Sequence, residues 1–187
     1  MNRTRRRLLK TSLALPLGLP LVGWLAPAPA AAATLPVDTE LLRQRIEALR
    51  KFGDPLIGAG RAEARALIAG LYEARGFTPL WADPVRVQAL LRAIGDSATH
   101  GLDARDYHAA ALAQPLPAGD ARAAVERELL LTDALMRLAY HLHFGKVDPR
   151  TLQPSWNLAR TLAGADPGAG LARLATAPDP GAALAAL

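Results

Sequence analysis

The stretch "AYHLHFGKVDPR" at 139–150 gathers the side chains in this chain that look most like a site: His141, His143, Lys146 and Asp148 around Gly145. Two histidines hold a metal when they share a face, and a Gly-Lys step cradles phosphate when the right loop precedes it. Neither geometry fits. On a helix, residues two apart lie about 200° around the axis, so His141 and His143 face opposite sides; a helical zinc pair needs a spacing of four, as in H-E-x-x-H. His143 falls on the side of Met136, Ala139 and Tyr140. His141 falls on the side of Asp133 and Arg137, themselves an i,i+4 pair of opposite charge. A phosphate loop needs an upstream glycine, a strand leading in and a Ser or Thr after the lysine; here the lysine is followed by Val147 and a helix leads in. The stretch reads as the end of a helix: histidines in the last turn complement the dipole, Gly145 caps, and Pro149 bars continuation.

No other cluster assembles a stronger case. Ser97 and Ser155 lack the glycine elbow of a hydrolase nucleophile. His100 and His108 flank Asp103 and Asp106, which reads either as an acid–base pair of a helical hydrolase or as ordinary turn and cap residues. Glu126 and Glu128 read as a solvated face. The chain has no cysteine, which excludes disulfides, a thiol nucleophile and cysteine zinc sites within it. The expectation is no catalytic residue, no cofactor and no metal.

The elements that would position any site are helical. Alanine and leucine dominate, and no long stretch alternates with period two. Asp38 or Thr39 caps a helix to about Phe52 with Leu42, Ile46 and Leu49 on one stripe. A second helix covers about 61–75, with Leu67, Ile68, Leu71 and Tyr72 inward and Gly76 as its C-terminal cap. "FTPLWADP" at 77–84 cannot be helix with two prolines, yet Phe77, Leu80 and Trp81 should fold back on the core. Asp83-Pro84 opens a third helix with Val87, Leu90, Leu91 and Ile94 inward. Asp103 caps a short helix, and the longest helix runs from about 121 to 144 with a seam of Leu131, Leu135, Leu138 and Leu142. The expected fold is all-α: an irregular multi-helix bundle around one long central helix, preceded by an export signal.

The first 33 residues look like a separate object. Arg3, Arg5, Arg6, Arg7 and Lys10 precede an uncharged apolar run and "APAPAAAA", the three regions of an export signal, with Ala31-Ala32-Ala33 as the cleavage site. Arg5 and Arg6 within "TRRRLLK" fit the twin-arginine motif, with Leu8 where phenylalanine is commonest; an ordinary secretory signal is the alternative. An uncleaved anchor is a third reading, opposed by four prolines in the apolar run. The chain holds 22 basic and 17 acidic residues; five basic residues and no acidic one lie in the first 33, so the remainder balances at 17 against 17. That balance excludes the sustained basic patch that nucleic acid requires.

The landmarks "LYEARGFTPLW" (71–81), "GLDARDYH" (101–108), "ELLLTDALMRLAYHLHFGKVDP" (128–149) and Trp156 occur in order. Together they resemble the helical scaffold domain of the large murein L,D-transpeptidases. The resemblance implies an exported protein of the Gram-negative periplasm, acting in peptidoglycan cross-linking and meeting the membrane only transiently, during export. It also implies that chemistry resides in a separate C-terminal domain whose cysteine is missing here, so that no catalytic residue carries over and this chain is inactive alone. The implied organisation is signal peptide 1–33, N-terminal helix and linker 34–59, scaffold domain 60–165, and 166–187 as the truncated start of a further helical segment. Trp81, Tyr107, Tyr140 and Trp156 read first as core; the second reading is a docking or binding surface for peptidoglycan or the transpeptidase domain. A stand-alone periplasmic module that binds peptidoglycan or a partner is the alternative function.

Overall fold

The computed structural model describes residues 36–60, 62–147 and 166–187. The export signal with Arg5 and Arg6, Asp148-Pro149 and Trp156 lie outside the described residues. Among those described there are seven α-helices, short 3-10 turns and no strand, so the all-α expectation holds. No described helix is long and apolar enough to cross a membrane.

Helix α1 (Thr39–Phe52) starts at Asp38, whose carboxylate accepts the Glu40 and Leu41 amides at 2.9 Å. It buries the expected stripe of Leu42, Ile46 and Leu49. A 3-10 turn (Ile57–Gly60) leads to α2 (Ala62–Ala74). The end of α2 is a Schellman cap: Gly76 takes φ 58°, the Phe77 amide reaches back to the Tyr72 carbonyl at 2.8 Å, and that of Gly76 to Glu73 at 3.0 Å. Leu67 is half-buried at the edge, while Ile68, Ala69, Leu71 and Tyr72 face inward. The 77–83 loop folds back as its composition demands, with Leu80 and Trp81 buried.

Helix α3 (Pro84–Gly95) begins with Asp83 as cap and proline in its first turn, and continues as a 3-10 segment (Asp96–His100) to Gly101. A second 3-10 turn (Ala104–Tyr107) is capped by Asp103. His108 then takes φ 60° and breaks the helical path before the single turn of α4 (Ala109–Leu112). The short helix expected after Asp103 is therefore two pieces.

The central helix α5 (Ala121–Phe144) has 24 residues and ends at Gly145, φ 77° and ψ 163°, as expected. It packs against α1, α3, α4, the 57–60 and 104–107 3-10 turns and the last two helices. Those are α6 (Pro167–Thr176) and α7 (Pro180–Ala185). Each repeats the Asp-Pro start of α3: the Asp166 carboxylate accepts the Gly168 amide at 2.8 Å and that of Asp179 accepts Ala182 at 3.0 Å. Leu171, Ala175 and Leu184 of this C-terminal segment join the same core as α1, α3 and α5.

Candidate functional site

Helix α5 carries two buried carboxylates, and each ties down a connector. Glu128 is 2% exposed. Its Oε1 accepts the Leu80 amide at 2.5 Å and the Tyr72 hydroxyl at 3.0 Å; Oε2 accepts the Trp81 amide at 3.2 Å. Thr132, one turn further on, receives the Trp81 indole N–H at 2.9 Å and lies 2.7 Å from the Tyr72 hydroxyl. The reading of Glu128 as part of a solvated face is thus corrected. Two successive backbone amides of a proline-bearing loop have no helix or sheet partner, and burying them requires an acceptor supplied from elsewhere. Burial pushes the Glu128 carboxyl up from its ordinary value, against the opposing pull of the two amides and the Tyr72 hydroxyl. Burial, followed by the Glu128 charge, pushes the Tyr72 hydroxyl well above its own ordinary value. Glu126 is half-buried and pairs with Arg45 at 2.5 Å.

Asp133 is 0% exposed. Its Oδ1 accepts the Gly58 amide at 2.7 Å, and Oδ2 meets His108 Nε2 at 2.6 Å. Arg137 Nε lies 2.6 Å from the same oxygen as an ion pair without a well-aligned hydrogen bond, so the i,i+4 pair forms. The Arg137 guanidinium also donates to the Leu56 carbonyl. Asp133 thus joins the 57–60 turn, the break at His108 and α5.

The acid–base reading of the 100–108 turn loses its geometry here. His108 is turned inward to Asp133; Asp106 pairs with Lys146 at 2.6 Å; Asp103 pairs with Arg105 at 2.5 Å. Lys146, the lysine of the Gly-Lys step, is therefore tied back to the 104–107 turn. His141 and His143 do face apart: His141 Nδ1 meets the Tyr107 hydroxyl at 2.9 Å, whereas His143 packs edge-on to Phe144 with ring centres 4.5 Å apart. Among the described residues, no three His, Cys, Asp or Glu side chains converge as a metal would need.

Of the aromatic residues considered for docking, Trp81 is 3% and Tyr107 0% exposed, so both lie in the core. Burial, with help from the Asp106 and Asp103 carboxylates, pushes the Tyr107 hydroxyl up to about 12. Tyr140 is half-buried and lines a groove of about 440 Å³ with Phe144 and His143, walled by Leu67 of α2 and by Leu171 and Leu174 of α6. The groove is predominantly apolar, with Asp166 and Arg173 at its rim.

A further tie escaped the sequence reading. The Arg86 guanidinium donates to Ala177 at 3.1 Å, to Leu80 at 2.5 Å and to Ala175, all backbone carbonyls, and it sits 5.3 Å from the Trp81 ring. It joins the 77–83 loop to the C-terminal end of α6.

No curated protein and no solved structure matches the chain. A family model described as "Scaffold domain" matches residues 66–187, from the first turns of α2 through α7. That span is well over half of the sequence and holds Glu128, Asp133, Arg86 and Tyr140. The chain belongs to the scaffold-domain family.

Proposed function

We propose that this chain is the non-catalytic scaffold portion of an exported L,D-transpeptidase that acts in peptidoglycan cross-linking and cell-wall biogenesis in the periplasm of a Gram-negative bacterium. The match to a scaffold-domain family over 66–187 is the observation that carries the scaffold part of the reading. The resemblance of the landmark strings at 71–81, 101–108 and 128–149, which lie within that span, supports its transpeptidase part. The chemistry-bearing side chains of those strings are spent on structure: Glu128 on the 80–81 amides, Asp133 on Gly58 and His108, and His141 on Tyr107.

In this reading a cysteine-containing domain performs the reaction. Its thiolate attacks the stem-peptide carbonyl, the terminal residue leaves, and a thioester forms. An amine of a second stem then attacks the thioester, forming the 3–3 amide and returning the thiol. This chain has no cysteine and so supplies none of these steps. Its part is to hold the reacting domain and peptidoglycan in register. The test is reconstitution on isolated sacculi, with 3–3 muropeptide dimers counted by mass spectrometry. The chain alone should yield none, and adding it should raise the yield of a cysteine-containing transpeptidase domain. Dimers from the chain alone, or a transpeptidase domain indifferent to it, would refute the reading.

The groove beside Tyr140 favours a second reading, a stand-alone periplasmic module that binds peptidoglycan or a partner. An apolar concavity with an aromatic wall suits a bound chain segment or sugar face. That reading expects the purified chain to co-sediment with sacculi, and expects Tyr140→Ala to abolish this while helicity stays unchanged.

A further inference from the structure

A second cavity, of about 370 Å³, lies between α3 with its 3-10 extension, α5 and α7. Its size falls within the range of small-molecule sites, roughly 300–1,000 Å³. Arg92 of α3 and Asp96, Ser97 and His100 of its 3-10 extension all line the cavity. Leu138 and Leu142 of α5 supply an apolar wall.

Among the described residues, no hydrogen bond or ion pair is made by the side chains of Arg92, Asp96 or His100, which are all exposed. Ser97 is 1% exposed and its Oγ is buried without a hydrogen-bond partner. Asp179 also borders the cavity, but its carboxylate is spent capping α7.

The charges select the ligand class. A simple anion would meet Asp96, and a simple cation would meet Arg92. A zwitterion satisfies both. We propose that this cavity binds a free apolar amino acid, with its carboxylate on Arg92 and His100, its ammonium on Asp96, and its side chain against Leu138 and Leu142. This inference is independent of the transpeptidase reading and stands or falls by direct binding.

The test titrates leucine into the ¹⁵N-labelled full chain and follows amide shifts. Saturable shifts confined to residues 89–100, 138–142 and 179–185 are expected, with a dissociation constant of about 1 mM or below. N-acetylleucine lacks the ammonium and leucinamide lacks the carboxylate; each should bind at least about tenfold more weakly. Arg92→Gln should erase the preference for leucine over leucinamide, and Asp96→Asn the preference over N-acetylleucine. Both positions are exposed, so the variants should melt as the parent does. The proposal is overturned by absent or unsaturable shifts, by shifts elsewhere, by capped derivatives that bind as well as leucine, or by Arg92→Gln binding leucine as tightly as the parent.

Discussion

Replacing Glu128 tests whether a buried carboxylate holds the 77–83 loop. Glu128→Ala leaves the Leu80 and Trp81 amides buried with no acceptor, whereas the Tyr72 hydroxyl keeps Thr132. Each orphaned amide costs about 1–3 kcal/mol, and part of that is offset because a desolvated carboxylate disappears; the net expectation is about 2–4 kcal/mol. Glu128→Gln is less severe but not neutral. If its amide oxygen takes the place of Oε1, Leu80 and Tyr72 remain bonded, and the new NH₂ group points at the Trp81 N–H, donor against donor. One lost bond and one orphan put the cost at about 1–3 kcal/mol. Urea denaturation followed by circular dichroism reads both values, and hydrogen exchange should quicken at the Leu80 and Trp81 amides. Glu126→Ala is the control. Its carboxylate pairs with Arg45 across a part-exposed surface, so the loss should stay within about 1 kcal/mol. If Glu128→Ala costs no more than this control, the loop is held by apolar packing alone and the reasoning from unsatisfied amides fails.

The same carboxyl gives a pH signature. Its folded value is raised above its unfolded one, so its contribution to stability is complete below about pH 4.5 and is lost as the pH climbs through the raised value. The gap between the parent and Glu128→Gln should therefore be widest in acid and narrow toward neutrality; a flat difference curve would contradict the raised value. Asp133→Asn should cost about 2–3 kcal/mol, because Arg137 and His108 lose their anion while the Gly58 amide keeps an oxygen; urea melts decide this. Arg86→Lys should not rescue Arg86→Met. A lysine cannot span three carbonyls as the guanidinium fork does, so both variants should show faster exchange at the end of α6. Gly145→Ala should cost about 1–3 kcal/mol purely through backbone strain, since its φ and ψ lie in a region nearly exclusive to glycine and nothing lies within 4 Å of the added methyl.

Much of the fold was legible because it rests on local rules. The α1 stripe, the Gly76 and Gly145 caps and the Asp83-Pro84 start follow from spacing and backbone preference alone. The same Asp-Pro code stands at 166–167 and 179–180, where it starts α6 and α7. The buried carboxylates were not legible by default, because a glutamate on a helix is usually solvated. A signal was nonetheless present. Glu128 lies three residues before Leu131 and so extends the Leu131, Leu135, Leu138 seam by one turn toward the N-terminus. A charged residue on an apolar seam must either break the packing or find buried donors, and the adjacent "FTPLWADP" loop had unpaired amides to offer. His108 and Asp133 are 25 residues apart, and no helical period links them; only the left-handed turn at His108 aims the ring inward.

Glu128 and Asp133 are five residues apart on α5, about 7.5 Å along the axis and 140° around it. Their side chains therefore leave different flanks of the helix, one toward α2 and the 80–81 amides, the other toward the 57–60 turn and His108. A single helix thereby fixes connectors that apolar packing alone would leave free to slide, since dispersion contacts have little directionality and buried hydrogen bonds have much. Such a design favours a fixed surface over a mobile active site. A catalytic carboxylate or imidazole must face its substrate and exchange protons with it, while these groups face inward and are saturated by the chain itself. Exposed charged and imidazole side chains without a partner among the described residues lie instead along α3 and its 3-10 extension, at Arg92, Asp96 and His100.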